Sequence, residues 1–148
     1  RSEAAKDTKV HLVLELKPHA TPEAETAAAE AVVKMVGRYG LSKRVTYISF
    51  SLHVMKELAR LAPAKTQLMY LGGGTLPKDL KAMGLTGCDF NYGVYLNNPT
   101  WLNDIKALKM ASNVWTVNNP ADMIWAIENR VDFITTDRPD LFLKLTRK

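Results

Sequence analysis

Short apolar segments alternate with helix-forming segments along the chain at roughly 25-residue spacing, which is typical of parallel βα units. The predicted strands are Val10–Lys17, Val45–Phe50, Gln67–Leu71, Asp89–Tyr92, Asn113–Val117 and Asp132–Thr136. The predicted helices are Pro22 to Gly40, Ser51–Leu61, Leu76–Met83, Pro99–Met110, Pro120–Asn129 and about Pro139–Leu145. Parallel strands require crossovers of this kind, and those crossovers are right-handed. The pattern therefore predicts an α/β protein with a parallel sheet.

Two architectures are compatible with this pattern: an open doubly wound sheet and a (β/α)₈ barrel. A closed barrel has eight strands and typically about 250 residues. This chain has 148 residues and about six predicted strands. The pattern alone therefore leaves both possibilities open, the barrel only with two strands missing. In either case we expect residues 1–148 to belong to a single domain.

Composition excludes several classes of function. The net charge is +5, but the basic residues are scattered and no basic run interleaves with aromatics, so we expect no nucleic-acid partner. The apolar runs are strand-sized, which predicts a soluble protein without stable membrane insertion. The single cysteine, Cys88, cannot form an intrachain disulfide and is expected to be buried and inert. Because the chain begins with Arg1, we expect residues upstream of it. A cytoplasmic location and a periplasmic or secreted one both stay open.

The first predicted strand carries the most informative pattern. Leu12, Leu14 and Leu16 lie on one face, where crossover helices can cover them. Glu15 and Lys17 point to the opposite face at the carboxyl end of the strand, which in a βα barrel is the active-site mouth. A divalent cation bound to Glu15 and a phosphate bound to Lys17 would satisfy both charges. A purely structural Glu–Lys pair would do so as well.

Four segments together resemble glycerophosphodiester phosphodiesterases. Leu14–Pro18 resembles the E-x-K motif of that family's third strand, and Ile48–Ser51 its serine–phenylalanine strand end. Trp115–Asn118 is similar to the seventh-strand motif, and Phe133–Pro139 to the closing strand and the start of the last helix. The segments occur in the family's order and cover nearly the whole chain.

The resemblance implies a (β/α)₈ TIM barrel of which this chain supplies about six units, strands 3 to 8. It implies that Glu15 binds a divalent cation, Ca²⁺ or Mg²⁺, and that Lys17 binds the phosphate and acts in catalysis. Phe50, Trp115 and Asn118 are the remaining candidates for substrate binding. The alternatives are a core position under a loop for Trp115 and a place at the start of the next helix for Asn118. Two further metal carboxylates, in an E-x-D motif, and two acid–base histidines are expected from strands 1 and 2. Neither the E-x-D motif nor the histidine motifs of the family occur here. We therefore expect the chain alone to be inactive and poorly soluble without the missing N-terminal strands.

Other chemistry-bearing residues are interpreted more plainly. His11, His19 and His53 do not fit the family's histidine motifs, and we expect structural or surface roles for them. Gly72–Gly74 lacks the spacing of a phosphate-binding loop, which predicts a flexible loop at the mouth. Tyr92 and Tyr95 are candidates to line the substrate entrance.

The expected function is metal-dependent hydrolysis of small-molecule glycerophosphodiesters to glycerol 3-phosphate and an alcohol. The nucleophile is either a hydroxyl of the substrate's own glycerol or a water molecule. Two alternatives stay open: a non-catalytic barrel-type binding module, and a related barrel phospholipase that acts on intact phospholipid.

Overall fold

The computed structural model of the protein describes residues 10–146, which form six strands and seven helices. The strands are β1 (Leu12–Glu15), β2 (Val45–Ser49), β3 (Gln67–Tyr70), β4 (Gly87–Asn91), β5 (Ala111–Trp115) and β6 (Phe133–Ile134). The helices are α1 (Pro22–Arg38), α2 (Leu52–Leu61), α3 (Pro77–Ala82), α4 (Tyr92–Asn97), α5 (Trp101–Ala107), α6 (Pro120–Glu128) and α7 (Pro139–Thr146). None of these helices is long and apolar enough to cross a lipid bilayer.

Local sequence signals explain where the helices begin and end. The Thr21 hydroxyl caps α1 by accepting a 3.2 Å hydrogen bond from the backbone N–H of Ala24, as Thr at this position predicts. The Ser51 hydroxyl caps α2 in the same way. Gly40 and Gly84 follow α1 and α3 with φ angles of +69° and +87°, which glycine adopts without steric cost.

The sheet resolves the choice between the two architectures. All neighbouring strands are parallel, and the spatial order is β1-β2-β3-β4-β5-β6. A doubly wound sheet reverses its strand order at a switch point, and this sheet has no reversal. Right-handed crossovers that always advance in one direction place their helices on one face. The fold is therefore six consecutive βα units of a (β/α)₈ barrel, as the resemblance implied.

The two faces of the sheet carry different side chains. The outer face packs under the helices and buries apolar residues such as Tyr47, Phe90 and Val114, each at most 1% exposed. The inner face carries the alternate residues of each strand. Those residues line an interior cavity of about 420 Å³, which includes Ile48 and Asp89. Polar groups on this inner face therefore lie inside the curve of the sheet.

The structure differs from the sequence predictions around residues 87–97. The predicted strand Asp89–Tyr92 is observed at Gly87–Asn91, so it begins two residues earlier and ends one residue earlier, and the helix Tyr92–Asn97 was not predicted. The side chain of Asn91 caps this helix by accepting a 2.9 Å hydrogen bond from the N–H of Gly93. Tyr95 in this helix packs against Phe90 on the outer face of the sheet and is only 2% exposed. The prediction that Tyr95 lines the substrate entrance is wrong.

Cys88 lies on the outer face of β4, under the helices. It is 0% exposed, and burial raises the pKa of its thiol to about 12, with Asp89 adding to the effect. A thiol with this pKa holds almost no reactive thiolate at neutral pH. The prediction of a buried, inert cysteine is confirmed.

Candidate active site

A cavity of about 230 Å³ opens at the carboxyl ends of the strands, the end at which βα barrels place their active sites. We call it the mouth cavity. Its lining residues come from the ends of β1, β2, β3, β4 and β5 and from the segment after β6. They are Glu15, Lys17, Ile48, Phe50, Leu71, Asp89, Trp115, Thr116 and Thr135. Four of the five predicted site residues are therefore together: Glu15, Lys17, Phe50 and Trp115.

Glu15 and Lys17 form an ion pair at the rim of the mouth cavity. The ammonium Nζ of Lys17 lies 2.6 Å from Glu15 Oε1, and the two side chains are 73% and 29% exposed, respectively. An ion pair this exposed contributes at most about 1 kcal/mol. Both groups can therefore exchange this contact for a ligand at little cost. The geometry is therefore compatible with both roles of Glu15 and Lys17, a structural ion pair and a ligand-binding pair.

The end of β1 is held in place by residues of β2 and α1. The hydroxyl of Ser49 donates a 2.7 Å hydrogen bond to the backbone carbonyl of Leu16, between Glu15 and Lys17. The carboxylate of Glu25, only 7% exposed, accepts hydrogen bonds from the hydroxyl of Ser51 and the backbone N–H of His19. The position of the Glu15–Lys17 segment is therefore set from outside the mouth cavity.

An aromatic pair forms one wall of the mouth cavity. The rings of Phe50 and Trp115 meet edge to face, with centroids 5.7 Å apart and planes at 87°, an arrangement that aromatic quadrupoles favour. The indole N–H of Trp115 donates a 2.9 Å hydrogen bond to the backbone carbonyl of Asp89. Trp115 is thus fixed in orientation, and the wall can cover the carbon atoms of a ligand.

Asp89 is the ionisable residue of the mouth cavity that the sequence interpretation missed. It is 2% exposed and lies on the inner face of β4. Burial, the largest cause, raises the pKa of its carboxyl to about 7 from an ordinary value of 3.8. The hydrogen bond from Asn113 opposes this rise, and the charge of Glu15 adds to it. The signal was present in the sequence: Cys88 and Phe90 are apolar neighbours, and strand alternation places Asp89 on the opposite, inner face.

Asn118 does not line the mouth cavity. Its Nδ2 donates a 2.8 Å hydrogen bond to the carboxylate of Asp137, and its Oδ1 accepts from the N–H of Asp137 and the hydroxyl of Thr136. Asn118 therefore joins the loop after β5 to the loop after β6. The helix that follows is capped by the neighbouring Asn119, whose Oδ1 accepts from the N–H of Asp122.

The three histidines lie away from the lining of the mouth cavity. His11, at the amino end of β1, is hydrogen-bonded through Nε2 to the hydroxyl of Thr46 at 2.9 Å. His53 pairs in the same manner with Thr26. His19 is exposed in the loop after β1. Structural and surface roles, as predicted, account for these positions.

Two of the three consecutive glycines after β3 are explained by close packing. A Cβ atom at Gly72 would collide with the hydroxyl of Tyr70, and one at Gly73 would collide with Val94 of α4. Close approach therefore accounts for glycine at both positions, and the flexibility of this loop stays a prediction.

A divalent cation that binds through carboxylate oxygens fits Glu15 as one ligand. Calcium and magnesium prefer oxygen ligands, and the Glu15 carboxylate is accessible at the rim. Within residues 10–146, however, no three His, Cys, Asp or Glu side chains are grouped closely enough to hold a metal ion. The described residues can thus supply one accessible carboxylate to such a site and not a complete set.

A larger cavity, of about 730 Å³, lies at the amino ends of the strands, among residues that include His11, Lys65 and Lys109. Its position is opposite to the mouth cavity. In βα barrels the amino end serves stability, whereas catalytic groups come from the carboxyl ends of the strands. Size alone therefore does not make it the functional site.

Comparison with known proteins gives a consistent result. The family model described as "Glycerophosphoryl diester phosphodiesterase family" matches residues 2–141. A glycerophosphodiester phosphodiesterase from Caldanaerobacter subterraneus subsp. tengcongensis is 29% identical over 124 residues, which cover 80% of this chain and 49% of that protein.

Solved structures show the same likeness. The crystal structure of a glycerophosphodiester phosphodiesterase from Parabacteroides distasonis superposes with a TM-score of 0.90 at 46% identity, covering 93% of this chain and 58% of that one. A phosphodiesterase from Oleispira antarctica, in complex with the product sn-glycerol-3-phosphate, has a TM-score of 0.79 at 18% identity, over 93% of this chain and 56% of that one. At 18% identity this likeness concerns the fold alone. The chain spans about half the length of the relatives it matches.

Proposed function

The chain belongs to the glycerophosphoryl diester phosphodiesterase family, and on this premise we propose that it forms most of the barrel of an enzyme that hydrolyses glycerophosphodiesters to glycerol 3-phosphate and an alcohol. One observation carries the proposal. The mouth cavity places a carboxylate, an ammonium group and an aromatic wall around about 230 Å³ of space, at the barrel end where catalysis occurs. Glu15, Lys17, Phe50 and Trp115 provide these groups.

Lys17 and Glu15 bind the two charged parts of the reaction centre. The side chain of Lys17 is 73% exposed at the rim, so its ammonium can exchange the contact with Glu15 for one with the substrate phosphate and neutralise charge there. Glu15 contributes one carboxylate to a Ca²⁺ or Mg²⁺ ion, and the ion, when bound, polarises a phosphoryl oxygen. The Lys17 ammonium and the Glu15 carboxylate are 2.6 Å apart, so Lys17 and an ion bound to Glu15 would be close enough to act on the same phosphate.

The aromatic wall serves the organic part of the substrate. Phe50 is 43% exposed beside Trp115, so both rings offer apolar surface to the carbon atoms of glycerol. The likeness to the glycerophosphodiester phosphodiesterase from Parabacteroides distasonis, at 46% identity, supports a small-molecule ligand of this kind. For Asn118 we retain a role in binding a substrate hydroxyl, which requires its hydrogen bonds with Asp137 and Thr136 to rearrange.

Closure of the barrel would supply the remaining groups. In residues 10–146 the sheet ends at β1 and β6, each paired on one side. Val13 of β1 is 59% exposed and Phe133 of β6 is 51% exposed, and both border the interior cavity. Two further strands of the same barrel would cover these apolar groups and pair both edges. They would also carry the acid–base histidines and remaining metal carboxylates that the family resemblance implies.

The direct test is hydrolysis of glycerophosphocholine by the full-length native protein, with release of glycerol 3-phosphate as the measured product. We expect activity with added Ca²⁺ or Mg²⁺ and its loss with a chelator. Cleavage of intact phosphatidylcholine to phosphatidic acid and choline at a comparable rate, measured as choline release, would favour a phospholipase instead. Binding of glycerophosphocholine without turnover, under all metal conditions, would favour a non-catalytic binding module.

A further inference from the structure

Three side chains form a polar floor beneath the mouth cavity: Asp89 of β4, Asn113 of β5 and Thr135 after β6. Asn113 Nδ2 donates a 2.6 Å hydrogen bond to Asp89 Oδ1 and a 2.9 Å hydrogen bond to Thr135 Oγ1. Asp89 and Thr135 also line the mouth cavity, together with Glu15 and Lys17. The polar floor is therefore within reach of a ligand held at the rim.

The burial of the Asp89 carboxyl is energetically unfavourable at this position. It is 2% exposed, and no ion pair with a basic side chain is found for it among residues 10–146. Its hydrogen-bond donor is the neutral amide of Asn113. A buried carboxyl without a cation costs several kcal/mol unless further hydrogen bonds compensate. If packing were the only role of this position, a neutral side chain would be more stable there. A carboxyl at this position therefore indicates a hydrogen-bonding partner outside the polar floor, such as a ligand.

The polar floor has unused hydrogen-bonding capacity. Asp89 Oδ2 accepts no hydrogen bond from the described part of the chain, and Thr135 uses its oxygen as an acceptor, which leaves its O–H free to donate. Asn113, 7% exposed, has an Oδ1 atom that is buried and without a partner among residues 10–146. Buried polar atoms are rarely left in this state.

We propose that Asp89, assisted by Thr135, binds the hydroxyl of the substrate's glycerol group that is farther from the phosphate, and so selects glycerol diesters over diesters of other short alcohols. This inference rests on the proposed function and assigns a specificity-determining residue to the same site. The phosphate stays at the rim with Lys17, because the Asp89 carboxyl would repel it. The glycerol then extends inward along the wall of Phe50 and Trp115 to the polar floor.

A hydroxyl group can form a hydrogen bond with the polar floor whether Asp89 is ionised or neutral. A hydroxyl group donates one hydrogen bond and accepts others, so it can donate to an ionised Asp89 or accept from a neutral one. Since burial raises the pKa of Asp89 to about 7, both forms are populated near neutral pH. A simple alkyl group could do neither and would leave the carboxyl unpaired.

The experiment compares two substrates in the full-length native protein: glycerophosphocholine and its analogue without the terminal glycerol hydroxyl, the phosphocholine ester of propane-1,2-diol. The analogue retains the hydroxyl next to the phosphate ester, so a nucleophilic role of that group is unaffected. For the native protein we expect kcat/KM to be about 10- to 100-fold lower with the analogue, the range for a lost hydrogen bond to a charged group. In Asp89→Leu the two substrates should react at nearly equal kcat/KM.

Binding by calorimetry gives a readout that does not depend on turnover. Glycerol 3-phosphate and its analogue without the terminal hydroxyl should differ in affinity for the native protein and not for Asp89→Leu. Asp79→Asn, at an exposed position on α3, is the control and should preserve the difference. If Asp89→Leu does not fold, Thr135→Val is measured instead and should reduce the difference in the same direction.

Two outcomes overturn the inference. One is an unchanged preference for the terminal hydroxyl in the folded Asp89→Leu and Thr135→Val variants. The other is a change confined to the leaving alcohol, measured by replacing choline with ethanol in the diester. If the native protein hydrolyses no glycerophosphodiester yet binds glycerol 3-phosphate with this selectivity, the proposed function fails and the Asp89 assignment stands.

Discussion

The hydroxyl of Ser49 donates a 2.7 Å hydrogen bond to the backbone carbonyl of Leu16, the residue between Glu15 and Lys17. Ser49 is 0% exposed, and its oxygen also accepts a 3.0 Å hydrogen bond from the N–H of Ser51. One side chain of β2 therefore fixes both the end of β1 and the start of α2. The geometry of the Glu15–Lys17 pair depends on this neighbouring strand as much as on its own.

Ser49→Ala should destabilise the protein and misplace the pair. The substitution leaves the buried carbonyl of Leu16 and the part-buried N–H of Ser51 without this partner, which costs about 1–3 kcal/mol in the free energy of unfolding. Denaturant unfolding of the full-length protein measures the loss, and kcat/KM should fall with it. Ser42→Ala, a half-buried serine at the other end of the barrel, should change the free energy by less than about 0.5 kcal/mol. Equal effects of the two substitutions would contradict the role assigned to Ser49.

Glu15→Gln should lower the affinity for Ca²⁺ or Mg²⁺ and abolish activity, while the fold persists. Glutamine has the same shape as glutamate but no charge, and the side chain is at the rim, so packing is preserved. Titration calorimetry with each metal measures the affinity, and circular dichroism checks the fold. Glu30→Gln on α1, whose side chain is 58% exposed, should leave metal affinity unchanged. Unaltered affinity in Glu15→Gln would exclude Glu15 as a ligand.

Lys17→Met should reduce kcat/KM for glycerophosphocholine by about 10²-fold, the size of effect seen when one electrostatic stabiliser of a transition state is removed. Methionine keeps the length of the side chain and removes the charge. Lys56→Met, at an exposed position on α2, controls for the change in net charge. Turnover that equals the native rate in Lys17→Met would leave Lys17 with a structural role only.

The strands were predictable because each apolar segment is flanked by strong helix and turn signals. The helix Tyr92–Asn97 was not, since it begins directly after β4 and its aromatic residues equally favour a strand. The cap at Asn91 decides the outcome. That cap is visible in the sequence, but its effect on Tyr95 depends on tertiary packing. The hydroxyl of Tyr95 reaches the backbone carbonyl of Asn113 at 2.9 Å, on a different strand.

The candidate site was predictable where its residues lie at strand ends on the inner face. Strand alternation located Glu15 and Lys17, and the family resemblance located Phe50 and Trp115. Strand alternation also places Asp89 on the inner face, but its contact with Asn113 depends on register, because β4 pairs with β5 so that the two residues lie side by side. Local sequence contains no information on that pairing. For Asn118, the contact with Asp137 across 19 positions was likewise beyond local reasoning.

Asp89 should make the stability of the protein fall as pH rises from about 4 to about 7. Burial raises the pKa of Asp89 to about 7 in the folded state, against an ordinary value of 3.8. Between these values the folded protein retains a proton that the unfolded chain releases. The free energy of unfolding therefore decreases with pH across this window and levels off above it. At roughly 1.4 kcal/mol per pKa unit, the effect is on the order of a few kcal/mol.

Asp89→Asn isolates this contribution, because asparagine does not titrate. We expect the variant to gain stability relative to the native protein as pH rises through the window, with the largest gain above pH 7. Denaturant unfolding at a series of pH values, with a chelator present, measures the difference at each pH. Asp79→Asn, at an exposed position on α3, is the control, and the decrease in stability with pH that is due to Asp89 should persist in it. A constant difference for Asp89→Asn would show that the carboxyl of Asp89 titrates near its ordinary pKa, because only a raised pKa makes the folded state bind the extra proton.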